Sequence, residues 1–308
     1  MAAQNRNFMQ RWGALLYGGT KIQIIHFMQA HGLLAVNKMC ICNGQMHLNA
    51  CQASPDGYRW RCTRPCRRTL TVRSGTVFES WRRFPLEDLF KAIYLWANKL
   101  NVTEIQRLTG LPKKAVIKMG QILRQVCRNS LGRNPIRLGG GGFNFVVQVD
   151  ETQAHHRQRA GRGRRAQAPV WVFGLVDTRF QPSKGYMEIV ARRDRATLTA
   201  VINRVLQPNS VVHCDEWRGY IRLPQFVPNC VHHGTVNHTV NFVDPRTGVH
   251  TQHVESYWNK FKLKLKEMKG VLRMNLQSYI DEFLWRDWIG LADPLGNLIL
   301  DINMDYPQ

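Results

Sequence analysis

The chain has 308 residues, 44% of them hydrophobic, with 43 Lys and Arg against 21 Asp and Glu. That length suits about two domains, and that share of apolar residues builds a real core, which excludes a disordered basic tail. A formal charge of +22 repels itself unless a polyanion relieves it, which favours nucleic acid over a membrane surface or a place in the ribosome.

No apolar run of membrane-spanning length is free of charge, and the start, MAAQNRNFMQRWG, lacks the apolar core of a secretion signal. The expectation is a soluble intracellular protein with no membrane partner. Residues 1–38 read as an N-terminal helical segment. Next come Cys40, Cys42, Cys51, Cys62 and Cys66, crowded together, whereas Cys127, Cys214 and Cys230 are scattered. Crowding is what a metal site needs and core thiols do not, and without an export signal disulfides are disfavoured. Residues 58–78 suggest a short hairpin around Pro65, inside a module spanning 39–82.

A helical region follows over 83–134. Residues 86–99 are amphipathic. Thr103 with Gln106 reads as a capping box, Gly110 ends that short helix, and Pro112 can begin the next. In the next helix Ala115, Met119, Ile122, Leu123 and Val126 share a face, with Lys113, Lys114, Lys118 and Arg124 outside it. This is the layout of a DNA-binding helix-turn-helix. An ordinary helical hairpin has the same layout, and both readings stay open. The glycine run 139–142 is read as a linker, 135–142, because four glycines have nothing to pack and lose much entropy on ordering.

Beyond it, strands are expected at 143–149, 169–177, 185–191 and 210–214, with helices at 195–206 and 253–269. That mixture predicts an α/β domain with a mixed sheet over 143–290, and a tail over 291–308. Two of these strands run into acidic pairs, Asp150-Glu151 and Asp215-Glu216. A carboxylate at the end of an apolar strand is costly to desolvate without a cation or donors, and two of them suggest converging ligands. Glu255, in the first turn of the last helix, sits beside the stripe of Val254, Tyr257, Trp258, Phe261, Leu265 and Met268. Capping that helix dipole is its plainer reading. Lys260, Lys262, Lys264, Lys266 and Lys269 clothe the same helix, and Lys260 and Lys262 are candidate DNA-binding residues beside the carboxylates. Carboxylates amid cations suit phosphodiester chemistry with two Mg²⁺ (or Mn²⁺) ions, which take hard oxygen ligands.

The ordered segments VDETQ, GLVDT, VVHCDEWRGY and NFVDPRTGVHTQHVESYWNKFK resemble the DDE transposases of the Merlin superfamily and their bacterial insertion-sequence relatives. DGYRWRCTRPCRRTLTVRSGTVFE resembles that family's zinc ribbon. The resemblance covers most of the chain and implies an RNase H-like catalytic core, preceded by the zinc-ribbon-like and helix-turn-helix regions. It places the catalytic, metal-holding carboxylates at Asp150, Asp215 and Glu255. It also implies cut-and-paste transposition, with terminal inverted repeats and target DNA as partners, a dimer or larger on DNA, and a nuclear location in a eukaryotic host or a cytoplasmic one otherwise.

Zn²⁺ would fall to Cys40, Cys42, Cys62 and Cys66. Their C-x-C and C-x-x-x-C spacings depart from paired C-x-x-C knuckles, and Met39 stands where the resemblance would place a ligand. Altered loops, substitution by Cys51 and a degenerate site all remain open. Arg157, Arg159, Arg162, Arg164 and Arg165, in the loop 155–165, are suited to phosphates. That loop also reads as a solvated hairpin tip or a localisation signal. His232, His233, His238, His250 and His253 form no H-E-x-x-H frame for a zinc hydrolase, and His253 could support Glu255. The alternative to a working transposase is a host-retained, transposase-derived DNA-binding protein that no longer cuts. A resolvase or ribonuclease ranks behind both.

Overall fold

The computed structural model of the chain describes residue 13 and residues 18–63, 66–154, 170–237, 240, 242–268 and 270–308. Two compact units emerge, Met1–Ser130 with Ile289–Gln308, and Leu131–Trp288.

In the first unit α1 (Lys21–Ala30) starts at a capping box, with Thr20 and Gln23 each accepting the other's backbone N–H. A four-stranded antiparallel sheet follows in the order β1 (Lys38–Met39), β2 (Gln45–Ala50), β3 (Tyr58–Cys62), β4 (Thr69–Thr71). Its core is small: Ala35, Cys40, Met46, Trp60 and Cys62. A sheet with so little to bury needs a staple to hold its shape. Arg73 supplies part of one, ion-paired with Asp56 in the interior and donating to the carbonyl of Phe84 at 2.7 Å.

Three helices complete this part of the sequence: α2 (Leu86–Ala97), α3 (Val102–Thr109) and α4 (Lys113–Arg133). The capping box of α3 is Asn101 with Glu104, two residues before the Thr103–Gln106 pair that the sequence suggested. The Asn101 carboxamide accepts from Thr103 N and Glu104 N, both at 3.0 Å, and Glu104 accepts from Asn101 N at 2.8 Å. Asparagine caps at least as well as threonine, so the earlier residue wins and Thr103 lies inside the first turn. Gly110 ends α3 in the left-handed region, φ 71°. The buried face of α4 is broader than expected and includes Arg124, whose Nη1 lies 3.2 Å from where a Cβ on Gly120 would sit. Residues 291–308, set apart in the sequence reading as a tail, contain the helix Pro294–Asp305 and group with this unit.

The second unit holds a five-stranded mixed sheet. Its strands are β6 (Gly142–Gln153), β7 (Trp171–Asp177), β8 (Lys184–Val190), β10 (Ser210–Asp215) and β11 (Cys230–Val236), in the order β11-β10-β6-β7-β8. The first three form an antiparallel meander. β10 then lies parallel to β6, and β11 parallel to β10. Two short strands, β5 (Leu138–Gly139) and β9 (Leu206–Gln207), pair separately.

Alternating residues of the sheet feed two cores, as strand geometry requires. Val147, Val149, Phe173 and Leu175 meet Leu198, Val201, Ile202 and Val205 of α5 (Arg195–Val205) on one face. Val172, Val176 and Met187 meet Val254, Tyr257, Trp258 and Phe261 of α6 (Gln252–Glu267) and Ile280 and Leu284 of α7 (Leu276–Trp288) on the other.

The glycine run is paired rather than a loose linker. Gly139 N donates to the fully buried Asp177 carboxylate, and Gly140 N to Ser210 Oγ, both at 2.8 Å. Both residues have positive φ, and a Cβ on Gly139 would come within 2.1 Å of Ser210 Oγ. Glycine is required there for backbone shape and close approach, which the entropy argument for a linker did not consider.

Candidate active site

Asp150 lies inside β6, which runs beyond the expected 149 to Gln153. Its neighbour across β7 is Gly174. That glycine is a matter of space: a Cβ there would approach the Trp258 ring to 2.5 Å. The indole of α6 fills the room and donates from Nε1 to Asp150 Oδ2 at 3.0 Å.

Asp215 ends β10, the parallel neighbour of β6. His213 pairs with Gln148 in that register, so Asp215 and Asp150, each two residues further on, emerge on the same face of the sheet. Asp215 accepts from Trp217 N at 3.2 Å.

Glu255 occupies the first turn of α6, and Thr251 donates to its carboxylate at 3.3 Å. The position of this turn is set by the sheet. Buried Gln148, on β6, accepts from His253 N at 2.9 Å and Val254 N at 3.2 Å. A strand side chain thus satisfies N–H groups at the helix start that have no intrahelical acceptor, while the N-cap Thr251 makes no side-chain cap. Gln148 ties Glu255 to the strand that carries Asp150.

The electrostatics register this convergence. Burial pushes the Asp150 carboxyl up to about 6, and the negative charges of Asp215 and Glu255 push the same way against donors from Glu151 N and Trp258. Glu151 points to the opposite face of the sheet. Burial pushes it up to about 7, against the Tyr220 hydroxyl and the Arg193 guanidinium. His213 is pushed down to about 4, first by burial and then by His250, His232 and His233, so it is neutral at physiological pH. His253 hydrogen-bonds Ser183 Oγ through Nδ1 at 2.8 Å. Cys127, Cys214 and Cys230 are buried thiols.

The four sulfurs of Cys40, Cys42, Cys62 and Cys66 all lie within 4.8 Å of one another. Cys40 to Cys66 is 3.2 Å, Cys66 to Cys42 3.5 Å and Cys42 to Cys62 3.6 Å. Four sulfurs about 2.3 Å from a tetrahedral Zn²⁺ stand ~3.8 Å apart, so the cluster could hold zinc. The irregular C-x-C spacing works because the chain folds back at once: Asn43 N donates to Cys40 O and Cys40 N to Gly44 O, both at 2.9 Å, with Asn43 at φ 59°. Gly44 N–H, accepted by the Cys42 sulfur, holds that thiol down at about 6, whereas burial pushes Cys62 up to about 12. Cys51 is not among the four, and Met39 is exposed.

Lys113, Lys114 and Lys118 are exposed on the first turns of α4, with the Lys118 ammonium 5.8 Å from the Trp81 ring centroid. Lys260 is bound to Asp287 at 2.6 Å and Lys264 to Glu282 at 2.8 Å. Lys262 is half-buried. Arg157, Arg159, Arg162, Arg164 and Arg165, with Pro65, His238 and Lys269, lie outside the described residues. The sequence reading passed over Gln148, Gly174 and Trp258 as site residues, since none carries a catalytic signature. Only the i,i+3 step from Glu255 to Trp258 hinted that the indole shares the carboxylate's side of the helix.

Residues 139–287 match the family described as ISXO2-like transposase domain. An uncharacterized transposase-like protein of Haemophilus influenzae is 26% identical over 105 residues, which is 33% of this chain and 80% of that protein. These matches support a transposase. A solved structure of the simian T-cell lymphotropic virus intasome, in complex with PP2A regulatory subunit B56 gamma, contains a chain similar to this one at a TM-score of 0.31 and 13% identity. The likeness covers 64% of this chain and 67% of that one. No helix of the described residues is long and apolar enough to cross a membrane.

Proposed function

We propose that the chain is a DDE transposase of the Merlin type, cutting DNA at element ends and joining the freed 3′-hydroxyl to target DNA. The observation that carries this reading is the convergence of Asp150, Asp215 and Glu255 from two adjacent parallel strands and a helix tied to one of them. The strand order, a three-stranded meander extended by two parallel strands, supports an RNase H-like core.

The carboxylates fit divalent cations. Each raises the energy of its neighbour's charge, and a cation between them relieves that repulsion. Two-metal phosphodiester chemistry uses a pair of ions about 3.5–4 Å apart, held by carboxylates on more than one element. Two bound Mg²⁺ or Mn²⁺ ions would supply activation of water or a 3′-hydroxyl and stabilisation of the leaving oxygen. Asp150, oriented by Trp258, and Asp215, oriented by Trp217 N, would take the side of β6 and β10. Glu255 would close the set from α6. Asp150 gives up its proton near pH 6, so its carboxylate is ready for cations above that pH.

In the same proposal Zn²⁺ on Cys40, Cys42, Cys62 and Cys66 staples the small N-terminal sheet. Lys113, Lys114 and Lys118 meet the terminal inverted repeats, and the arginines of 155–165 hold phosphates near the carboxylates. Pairing two ends calls for a dimer or larger. The site of action is the nucleus in a eukaryotic host and the cytoplasm otherwise.

The test is cleavage of DNA carrying the gene's own flanking sequences, with Mg²⁺, with Mn²⁺ or with neither, beside Asp215→Asn. Metal-dependent cuts at repeat ends, lost in the variant, are expected. Tight binding without cuts in the wild type would overturn the reading in favour of a retained DNA-binding protein.

A further inference from the structure

The N-terminal sheet has two sides of opposite character. β2, β3 and β4 turn Met46, Leu48, Trp60, Cys62 and Leu70 toward the small core. Alternation puts the intervening residues on the other side. There the register sets them in two rows across three strands: His47, Arg61 and Thr69 in one, Asn49, Arg59 and Thr71 in the other. His47, Asn49, Arg61 and Thr69 are exposed, and Arg59 and Thr71 are half-buried.

The polar side carries one sign of charge. Lys38–Thr71 holds five arginines and one lysine against a single acid, Asp56, and Asp56 is spent on Arg73 in the interior. A face that served only solubility would intersperse both signs. Arg59 and Arg61 instead stand two residues apart on one strand, about 7 Å along it, with no carboxylate in either row. The Arg59 Nε is buried without a hydrogen-bond partner among the described residues.

Shape points the same way. The two longest side chains share the central strand β3, with Asn49, Thr69, Thr71 and His47 flanking them, so the face is ridged along its middle. Three strands about 4.8 Å apart span ~10 Å, and the major groove of DNA is ~12 Å wide and admits β-strands. Two rows about 7 Å apart match two base-pair steps of ~3.4 Å.

We propose that this face lies in the DNA major groove and reads bases, with Arg59 and Arg61 each forking onto the O6 and N7 of a guanine and Asn49 pairing with the N6 and N7 of an adenine. Guanidinium and carboxamide groups have the planar donor and acceptor pairs that these base edges require. Lys113, Lys114 and Lys118 on α4 are point charges, suited to phosphates, which set position without reading sequence. The sheet supplies sequence choice and the helix supplies grip. The inference rests on the reading of the chain as a protein that recognises DNA ends, but it makes no use of the carboxylates.

The test lets the full chain, without added Mg²⁺ or Mn²⁺, select from a pool of random-sequence duplexes. A preferred sequence containing guanine is expected. Arg61→Lys keeps the charge and loses the fork, so discrimination at one guanine should fall roughly tenfold, while binding to unselected DNA changes by less than about twofold. 7-Deazaguanine at that position lacks the N7 acceptor and should weaken the wild type but not Arg61→Lys. Inosine, altered only in the minor groove, should change neither. Asn49→Ala should relax an adenine position in the same way. Lys114→Ala should instead weaken every sequence alike and lower the slope of log affinity against log salt by about 1.

A wild type without sequence preference overturns the proposal. So does a preference unchanged in both Arg61→Lys and Asn49→Ala, a loss in these variants shared equally by all sequences, or a wild type indifferent to 7-deazaguanine. Cleavage run alongside keeps the two readings apart. Sheet-dependent preference with no metal-dependent cut sinks the cutting reading alone. Metal-dependent cuts at repeat ends, with the preference untouched in the sheet variants, sink this one alone.

Discussion

Replacing Asp150 by asparagine should make the protein more stable while disabling it. In the folded chain burial, Asp215 and Glu255 push this carboxyl from its ordinary 3.8 to about 6. A group whose pKa rises on folding contributes stability that is fully present below the unfolded value and is lost as pH rises through the folded one. Above about pH 6 the charged carboxylate therefore costs the fold ~1.4 kcal/mol for every tenfold gain in proton affinity, up to ~3 kcal/mol.

Asparagine removes the charge and keeps an oxygen for the Trp258 indole, which now donates at 3.0 Å. Without added divalent metal, Asp150→Asn should gain ~1–3 kcal/mol near pH 7.5, or roughly 3–8 °C in Tm for a unit of this size. Near pH 4 the wild-type carboxyl is largely protonated as well, and the gap should close. Adding Mg²⁺ should stabilise the wild type alone, because only it offers the full ligand set. Thermal unfolding followed by calorimetry across this pH range is the assay. A variant no more stable than wild type near pH 7.5, or a gap independent of pH, would refute the claim that these three carboxylates crowd one another.

Gly174→Ala would place a methyl 2.5 Å from the Trp258 ring, at a cost of ~1–3 kcal/mol for overpacking. Displacing the indole removes a donor that lowers the Asp150 pKa, so the acid limb of the cleavage profile should move above about 6; an unshifted limb counts against the role given to Trp258. One zinc ion per chain is expected by elemental analysis. Cys62→Ser should lose it, along with the folded sheet of residues 38–71, while Cys51→Ser keeps both. Zinc in full stoichiometry in Cys62→Ser would exclude the four-thiol site.

Much of this architecture is local and could be read from residue order. Short runs of apolar and β-branched residues predicted β7, β8 and β10 to within two residues, because the residues that favour a strand cluster within each segment. Helical spacing did the same for α2, α5 and α6. The crowding of Cys40, Cys42, Cys62 and Cys66 and the acidic endings at Asp150 and Asp215 were also visible, since each is a property of a few neighbouring residues.

What tertiary structure alone decided is who meets whom. Lys260 went to Asp287, and the glycine run folded against Ser210 and Asp177. Gln148 reached a helix start more than a hundred residues away, and Gly174 made room for Trp258 to grip Asp150. These pairings depend on the sheet order β11-β10-β6-β7-β8, which brings strands distant in sequence side by side. Their energy comes from space and donors that no single segment carries. The sequence by itself determined which carboxylates and thiols stand at strand ends and in clusters, and only the packed structure decided what holds each of them.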